Sequence, residues 1–248
     1  MRFNDVRQIG SVLRGLIFGM VLTLPLGIAG YAQTAYAQST PPNPTVRTLY
    51  LIRHGAYDQK DQRPDSVGMS LTPLGVAQVR LVANRLRSMP VRFSSIQTSR
   101  LTRARESARV VAAEFPELAV RSTSVLNECT PPTWRADVMA DLDSTEAIDC
   151  RGQLDRAFAE FVSAPPDSGR HDILVCHGNV IRYFVTKTLN VDTMAWLGMG
   201  IGNASLTIIQ VRADGTSRLM SFSDVGHLPP NMQTGFDRVT RDLAAPPE

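Results

Sequence analysis

The sequence predicts an α/β fold: a three-layer sandwich whose mostly parallel sheet is covered by helices on both faces. Three observations lead there. Short continuous apolar runs, such as Thr48–Ile52 and Ile173–Cys176, read as strands buried on both sides. Between the runs lie stretches with apolar residues at helical spacing, and this alternation requires a sheet with helices packed on it. Apolar residues make up 43% of the 248-residue chain and charged residues 20%, near globular averages. That balance excludes a disordered tail protein, a collagen-like repeat and a polytopic membrane protein.

The elements follow in order. After the Thr48–Ile52 strand, Thr72-Pro73 offers an N-cap with proline at the first helical position. Leu74, Ala77, Leu81 and Val82 then mark a helix to about Ser88. Ser94–Thr98 reads as a second strand, and Leu101, Ala104, Ala108, Val111 and Phe115 form one face of the helix after it, which Pro116 stops. Val120–Val125 is a third strand. Residues 127–150 read as irregular and polar, a length that within a compact domain marks a functional loop or lid. A helix from about Thr145 to Val162, a turn at Pro165–Gly169, the Ile173–Cys176 strand and a helix from Val180 to Leu189 come next. Ala204–Val211 and Ser217–Phe222, joined through Asp214-Gly215, predict a hairpin.

Residues 1–37 read as a signal peptide or, if retained, an N-terminal anchor: Arg2, Arg7 and Arg14 precede an apolar run from Leu16 to Ala29, followed by Ala35-Tyr36-Ala37. Export implies a periplasmic or secreted domain, with membrane contact only through an uncleaved leader. Residues 38–45 form a linker, 46–235 the folded domain and 236–248 a tail. The leader holds three arginines and one aspartate, which leaves 23 basic against 22 acidic side chains in the rest. Such a near-neutral domain is not a nucleic-acid binder. Cys129 and Cys150 either close a disulfide or stay free, and Cys176, ending an apolar run, is expected to be buried and inert.

Two of the four histidines share a setting: Leu51-Ile52-Arg53-His54-Gly55 and Leu174-Val175-Cys176-His177-Gly178 each run a buried strand into His-Gly. Ligands of open α/β sheets bind outside the carboxyl ends of strands, and the glycines allow close approach of ligand to backbone. The second strand leads into Ser99-Arg100-Leu101-Thr102-Arg103-Ala104-Arg105. Arginines in a first helical turn oppose the helix dipole, a penalty that a bound anion removes. Arg100 and Arg105 also fit solvated positions. Arg53 supplies a second guanidinium, so two histidines and at least two arginines converge on a phosphate site. His171 reads as solvent-exposed near a turn, and His227 as a surface residue or, alternatively, a rim residue near the pocket, the first being favoured. No metal-binding spacing is present, and neither metal nor cofactor is expected.

These motifs, with Leu126-Asn127-Glu128 and Cys176-His177-Gly178-Asn179-Val180-Ile181-Arg182, resemble in order and spacing the histidine phosphatase (phosphoglycerate mutase-like) superfamily over about residues 46–235. Within it, Val180-Ile181-Arg182-Tyr183, Asn203-x-Ser205 and Asp224-x-Gly226-x-x-Pro229-Pro230 look like the mitochondrial serine/threonine protein phosphatases of that superfamily. The chain departs from that branch at Gly55, where the branch has serine, and at Cys129, where it has glycine. The resemblance implies His54 as a nucleophile that becomes phosphohistidine, Arg53, Arg103 and His177 as holders of the phosphoryl group, and Glu128 as general acid. Asp137 and Asp141 remain substitutes for that acid. The implied activity is metal-independent hydrolysis of phosphomonoesters, with phosphoserine or phosphothreonine proteins as candidate substrates and a homodimer as a candidate assembly. The alternatives are a phosphatase of envelope sugar or lipid-headgroup phosphates and a non-catalytic phosphate-binding scaffold.

Overall fold

The computed structural model describes residues 46–162 and 169–236. The expected leader 1–37, the linker 38–45, the turn residues Pro165–Ser168 and the tail beyond Phe236 lie outside the described residues. The described elements are β1 (Val46–Arg53), α1 (Pro73–Arg87), β2 (Ser95–Ser99), α2 (Thr102–Ala112), β3 (Val120–Thr123), α3 (Ala136–Ala140), α4 (Ser144–Phe161), β4 (Arg170–Cys176), α5 (Gly178–Thr188), β5 (Leu206–Arg212) and β6 (Ser217–Asp224). The described strands form one sheet in the order β3-β2-β4-β1-β5-β6. Strands β3, β2, β4 and β1 run parallel, and the β5–β6 hairpin joins antiparallel to β1.

Alternation along β1 builds the three layers. Leu49 and Leu51 face one way and pack with Leu154 and Phe161 of α4 and Val180, Ile181 and Phe184 of α5. Tyr50 and Ile52 face the other way and pack with Val79, Val82 and Leu86 of α1 and Ala108 and Val111 of α2. With both faces covered, the central strands read as unbroken apolar runs, which is the pattern the sequence shows. The apolar stripe of α1 is presented by a helix that starts at Thr72, whose hydroxyl accepts from Gly75 N at 3.1 Å, with proline at the first turn.

Several expectations change in the region 120–150. β3 stops at Thr123, because Ser124–Leu126 tightens into a 3-10 turn. The stretch expected to be irregular contains the short helix α3, whereas α4 begins at Ser144, as anticipated from about Thr145, because the Asp143 carboxylate caps it, accepting from Thr145 N at 2.7 Å and Glu146 N at 3.1 Å. Cys129 and Cys150 form a disulfide with Cα atoms 5.7 Å apart, tying the chain after Leu126 to α4. Cys176 is buried, and burial pushes its thiol up to about 12, so the expected inert cysteine is what the core contains.

Gly55 was expected to admit a ligand close to the backbone. Its open side instead faces the start of α1: a Cβ there would lie 2.5 Å from the Gly75 carbonyl oxygen. Conversely, a Cβ on Gly75 would collide with the Ala56 carbonyl oxygen, which accepts from Thr72 N at 3.0 Å. The chain after β1 and the first turn of α1 thus interlock at two glycines. Gly75→Ala is expected to lower stability by about 3 kcal/mol, as overpacking against backbone does. A shift of the urea midpoint with unchanged slope would register it, and an unshifted midpoint would show that the contact yields without strain.

Candidate active site

The parallel pairing of β1 with β4 sets Arg53 level with Cys176, so the next residue on each strand, His54 and His177, emerges at the same height at the carboxyl edge of the sheet. Their ring centroids lie 5.1 Å apart. β2 pairs on the other side of β4, with Thr98 level with Val175, and brings Ser99 to the same edge and Arg103 in the first turn of α2. All three of His54, His177 and Arg103 are buried, at 3%, 0% and 5% exposure.

His54 Nδ1 lies 2.9 Å from the Gly55 carbonyl oxygen. A carbonyl can only accept, so Nδ1 carries the proton and Nε2 keeps a bare lone pair. That lone pair accepts from Arg103 Nε at 3.3 Å. Burial, then Arg53 and Arg103, hold the imidazole well below its ordinary range, against a smaller opposing effect of the Gly55 carbonyl. The loop behind His54 is anchored on all sides. Gly55 N donates to Ser107 Oγ at 3.1 Å, Ala56 N to Gln78 Oε1 at 2.8 Å, and Asn203 Nδ2 to the His54 carbonyl at 3.2 Å.

Arg103 Nη1 pairs with Asp65 Oδ2 at 2.6 Å, and its guanidinium lies 5.0 Å from the centre of the Tyr57 ring, which itself meets His54 edge-on. Asp65 and Tyr57 both come from the segment between β1 and α1. Arg53 Nη1 donates to the Ile201 carbonyl at 2.5 Å, while its Nε is buried without a hydrogen-bond partner. Burial chiefly, together with Arg182 and Arg103, lowers Arg53 to about 10, which leaves it charged at neutral pH. Gly178 makes room for it: a Cβ there would lie 3.5 Å from Arg53 Nε. A cleft of about 400 Å³ opens beside these groups, lined by Arg53, Tyr57, Lys60, Thr72, Asn203 and Thr234 among others.

Glu128 follows the 3-10 turn and projects toward α5. Its Oε1 accepts from Asn179 N at 3.1 Å, and its Oε2 lies 3.4 Å from His177 Nδ1. The structure therefore brings Arg53, His54, Arg103, Glu128 and His177 to one sheet edge. Asp137 is held elsewhere, in an exposed ion pair with Arg135, and Asp141 is exposed at the end of α3. His171 is not a turn residue: it sits in β4, half-buried, with Nδ1 3.1 Å from Tyr50 Oη, because the strand begins earlier than its apolar run. His227 is likewise half-buried rather than on the surface, with Nδ1 3.3 Å from Arg85 Nη1 and Nε2 donating to the Ala204 carbonyl at 3.0 Å. Arg105 reaches the Ser66 carbonyl at 2.8 Å and braces the segment carrying Asp65. Sequence reasoning assigned no role to Tyr57, Asp65, Gln78, Asn127, Asn179 or Asn203. Asn127, Asn179 and Asn203 carried a signal, each standing within a motif that supports the family resemblance, whereas Tyr57, Asp65 and Gln78 carried none.

The pattern of the family described as "Histidine phosphatase superfamily (branch 1)" matches residues 49–224. The Caenorhabditis elegans "Serine/threonine-protein phosphatase Pgam5, mitochondrial" is 35% identical over 199 residues, covering 75% of this chain and 65% of the relative. The Homo sapiens protein of the corresponding name is 30% identical over 209 residues, covering 79% and 66%. The chain thus spans about two thirds of the length of these curated relatives. A phosphoglycerate mutase from Bacillus anthracis str. Sterne, 19% identical, superposes with a TM-score of 0.59 over 74% of this chain and 96% of that one, which speaks for the fold alone.

The relatives correct one expectation. They are mitochondrial by name, which overturns the signal peptide and the periplasmic or secreted location read from residues 1–37. An arginine-bearing, acid-poor, partly apolar leader is a composition that organelle transit peptides share with secretory signals, so it does not discriminate between them.

The low proton affinity of the buried histidines has a consequence for stability. As pH falls through about 6.5, the imidazoles of the unfolded chain take up protons. Folded His54 and His177 refuse them, chiefly because of burial. The unfolded state then binds more protons, so stability decreases as pH drops through that range and is greatest above it. His171 and His227, also lowered by burial, act in the same direction. The urea midpoint should fall between pH 7.5 and pH 5, and the fall should be shallower in His54→Gln. Equal slopes in the two proteins would mean that His54 takes up its proton without cost in the fold.

Proposed function

The chain belongs to the histidine phosphatase superfamily, and from that premise we propose that it hydrolyses phosphomonoesters through a phosphohistidine formed on His54. The observation that carries this reading is the bare Nε2 of a buried, neutral His54 lying 3.3 Å from the Arg103 guanidinium. A nucleophile needs a lone pair, and the transferred phosphoryl group needs positive charge on its equatorial oxygens. Arg103 and Arg53 supply that charge, and the unpartnered Nε of Arg53 is a donor awaiting an acceptor. The proposed site is therefore metal-independent.

In the first step the P–O bond of the ester breaks as the P–Nε2 bond forms, and Glu128 gives a proton to the leaving oxygen. In the second step Glu128 takes a proton from water, the water oxygen bonds to phosphorus, and His54 departs with its lone pair restored. His177, facing Arg53, Arg103 and His54, contacts the phosphoryl group between the two rings. The names of the curated relatives support phosphoserine and phosphothreonine in proteins as the substrates.

The test compares leaving groups, with EDTA present throughout. A poor leaving group such as the serine hydroxyl needs the acid's proton, whereas nitrophenolate scarcely does. Glu128→Gln should therefore lose about 10²–10⁴-fold in turnover on phosphoserine peptide and far less on nitrophenyl phosphate. His54→Ala should be inactive on both. Full activity in His54→Ala, or loss of wild-type activity in EDTA restored by a divalent cation, would contradict the reading.

A further inference from the structure

His177 is held by a chain of hydrogen bonds that begins outside the pocket. The backbone N–H of Arg100 donates to Asn127 Oδ1 at 2.9 Å, which identifies that amide atom as the oxygen. Ser99 Oγ lies 3.0 Å from the same oxygen, so its single proton is committed there. Ser99 Oγ accepts from Leu101 N at 3.1 Å and lies 2.8 Å from His177 Nε2. With its proton committed, the hydroxyl can only accept from the ring. His177 Nε2 thus carries a hydrogen, and in the neutral ring Nδ1 is bare.

That bare Nδ1 faces Glu128 Oε2 at 3.4 Å, and both atoms are buried without a hydrogen-bond partner. Two facing acceptors repel unless a proton lies between them. Placing it on His177 creates an imidazolium at a fully buried position, faced by Arg53 and His54 from β1 and by Arg103 from α2. Placing it on Glu128 satisfies Nδ1 and leaves Oε1 as acceptor for Asn179 N. The start of α5 and the two arginines favour the carboxylate, but a bound phosphoryl dianion offsets the guanidiniums, and the dipole contributes only about 0.3–1 kcal/mol.

We infer that Ser99 and Asn127 are positioning residues that lock His177 in the Nε2–H form, so that its bare Nδ1 accepts, and thereby retains, the acid proton of Glu128. The consequence for turnover rests on the phosphatase reading above; the lock itself does not. In the reaction, Glu128 Oε2–H leaves Nδ1 for the departing ester oxygen, and the water of the second step returns a proton to Glu128.

The lock is tested on the full chain by NMR of ¹⁵N-histidine-labelled protein at neutral pH, which reports the protonated nitrogen of each ring. The expected result is a bare Nδ1 and protonated Nε2 on His177, with Ser99→Ala releasing a proton onto Nδ1 and Ser99→Thr keeping the wild-type pattern. On phosphoserine peptide, the alkaline limb of kcat should move about one pH unit lower in Ser99→Ala, as for one lost buried hydrogen bond, and return in Ser99→Thr. Protonated Nδ1 in the wild type, whether Nδ1–H or imidazolium, overturns the proposal, as does an unmoved limb in a folded Ser99→Ala. If no phosphomonoester is turned over, the phosphatase reading fails and the wild-type spectrum still decides the lock.

Discussion

Because β1 and β4 lie side by side and parallel, with Arg53 level with Cys176, the two strands deliver a histidine each to the same point at the same height. Most other features of the site follow from that register. A one-residue slip would turn each side chain to the opposite face and separate the rings. Both faces of β1 are committed to packing: Leu49 and Leu51 serve one core layer, Tyr50 and Ile52 the other, so a shifted pairing would require both layers to repack. β2 on the far flank of β4 adds Ser99 and Arg103, and β5 on the far flank of β1 is preceded by Asn203, which holds the His54 carbonyl. The sheet order is thus the positioning device, and the loops supply the groups around it.

The two histidines are treated oppositely by their neighbours. The Gly55 carbonyl puts the His54 proton on Nδ1, whereas Ser99 puts the His177 proton on Nε2. Each ring therefore points a lone pair in a defined direction, at Arg103 in one case and at Glu128 in the other. Burial and the arginines disfavour the charged form of both rings, so under the proposed mechanism the site begins with a nucleophile and an acceptor rather than two imidazolium ions. The cost appears in stability at low pH.

The fold was legible because its central strands are doubly buried and its helices carry clear stops and starts, such as Thr72-Pro73 and Pro116. Convergence of Arg53, His54, Arg103, Glu128 and His177 could be anticipated from strand ends and from the ordered motifs. What was not legible depends on contacts between distant segments. Nothing local marks Asp65 as the partner of Arg103 across 38 positions, or Gly75 as the residue against which Gly55 packs. The short helix α3 escaped because the stretch from Asn127 to Cys150 is polar and gives its five residues no apolar periodicity, whereas α4 was anticipated to within a residue at its start. The leader misled for another reason: its composition suits more than one address.

The account stands on a neutral His54 whose Nε2 attacks phosphorus while Nδ1–H stays on the Gly55 carbonyl. Rapidly quenched, ¹⁵N-histidine-labelled protein examined by ³¹P and ¹⁵N NMR at alkaline pH, where phosphohistidine persists, measures this directly. The account predicts phosphorus coupled to Nε2 of His54, with no phosphoenzyme in His54→Ala. Phosphorus on Nδ1 of that ring, on His177, or on a hydroxyl would contradict it.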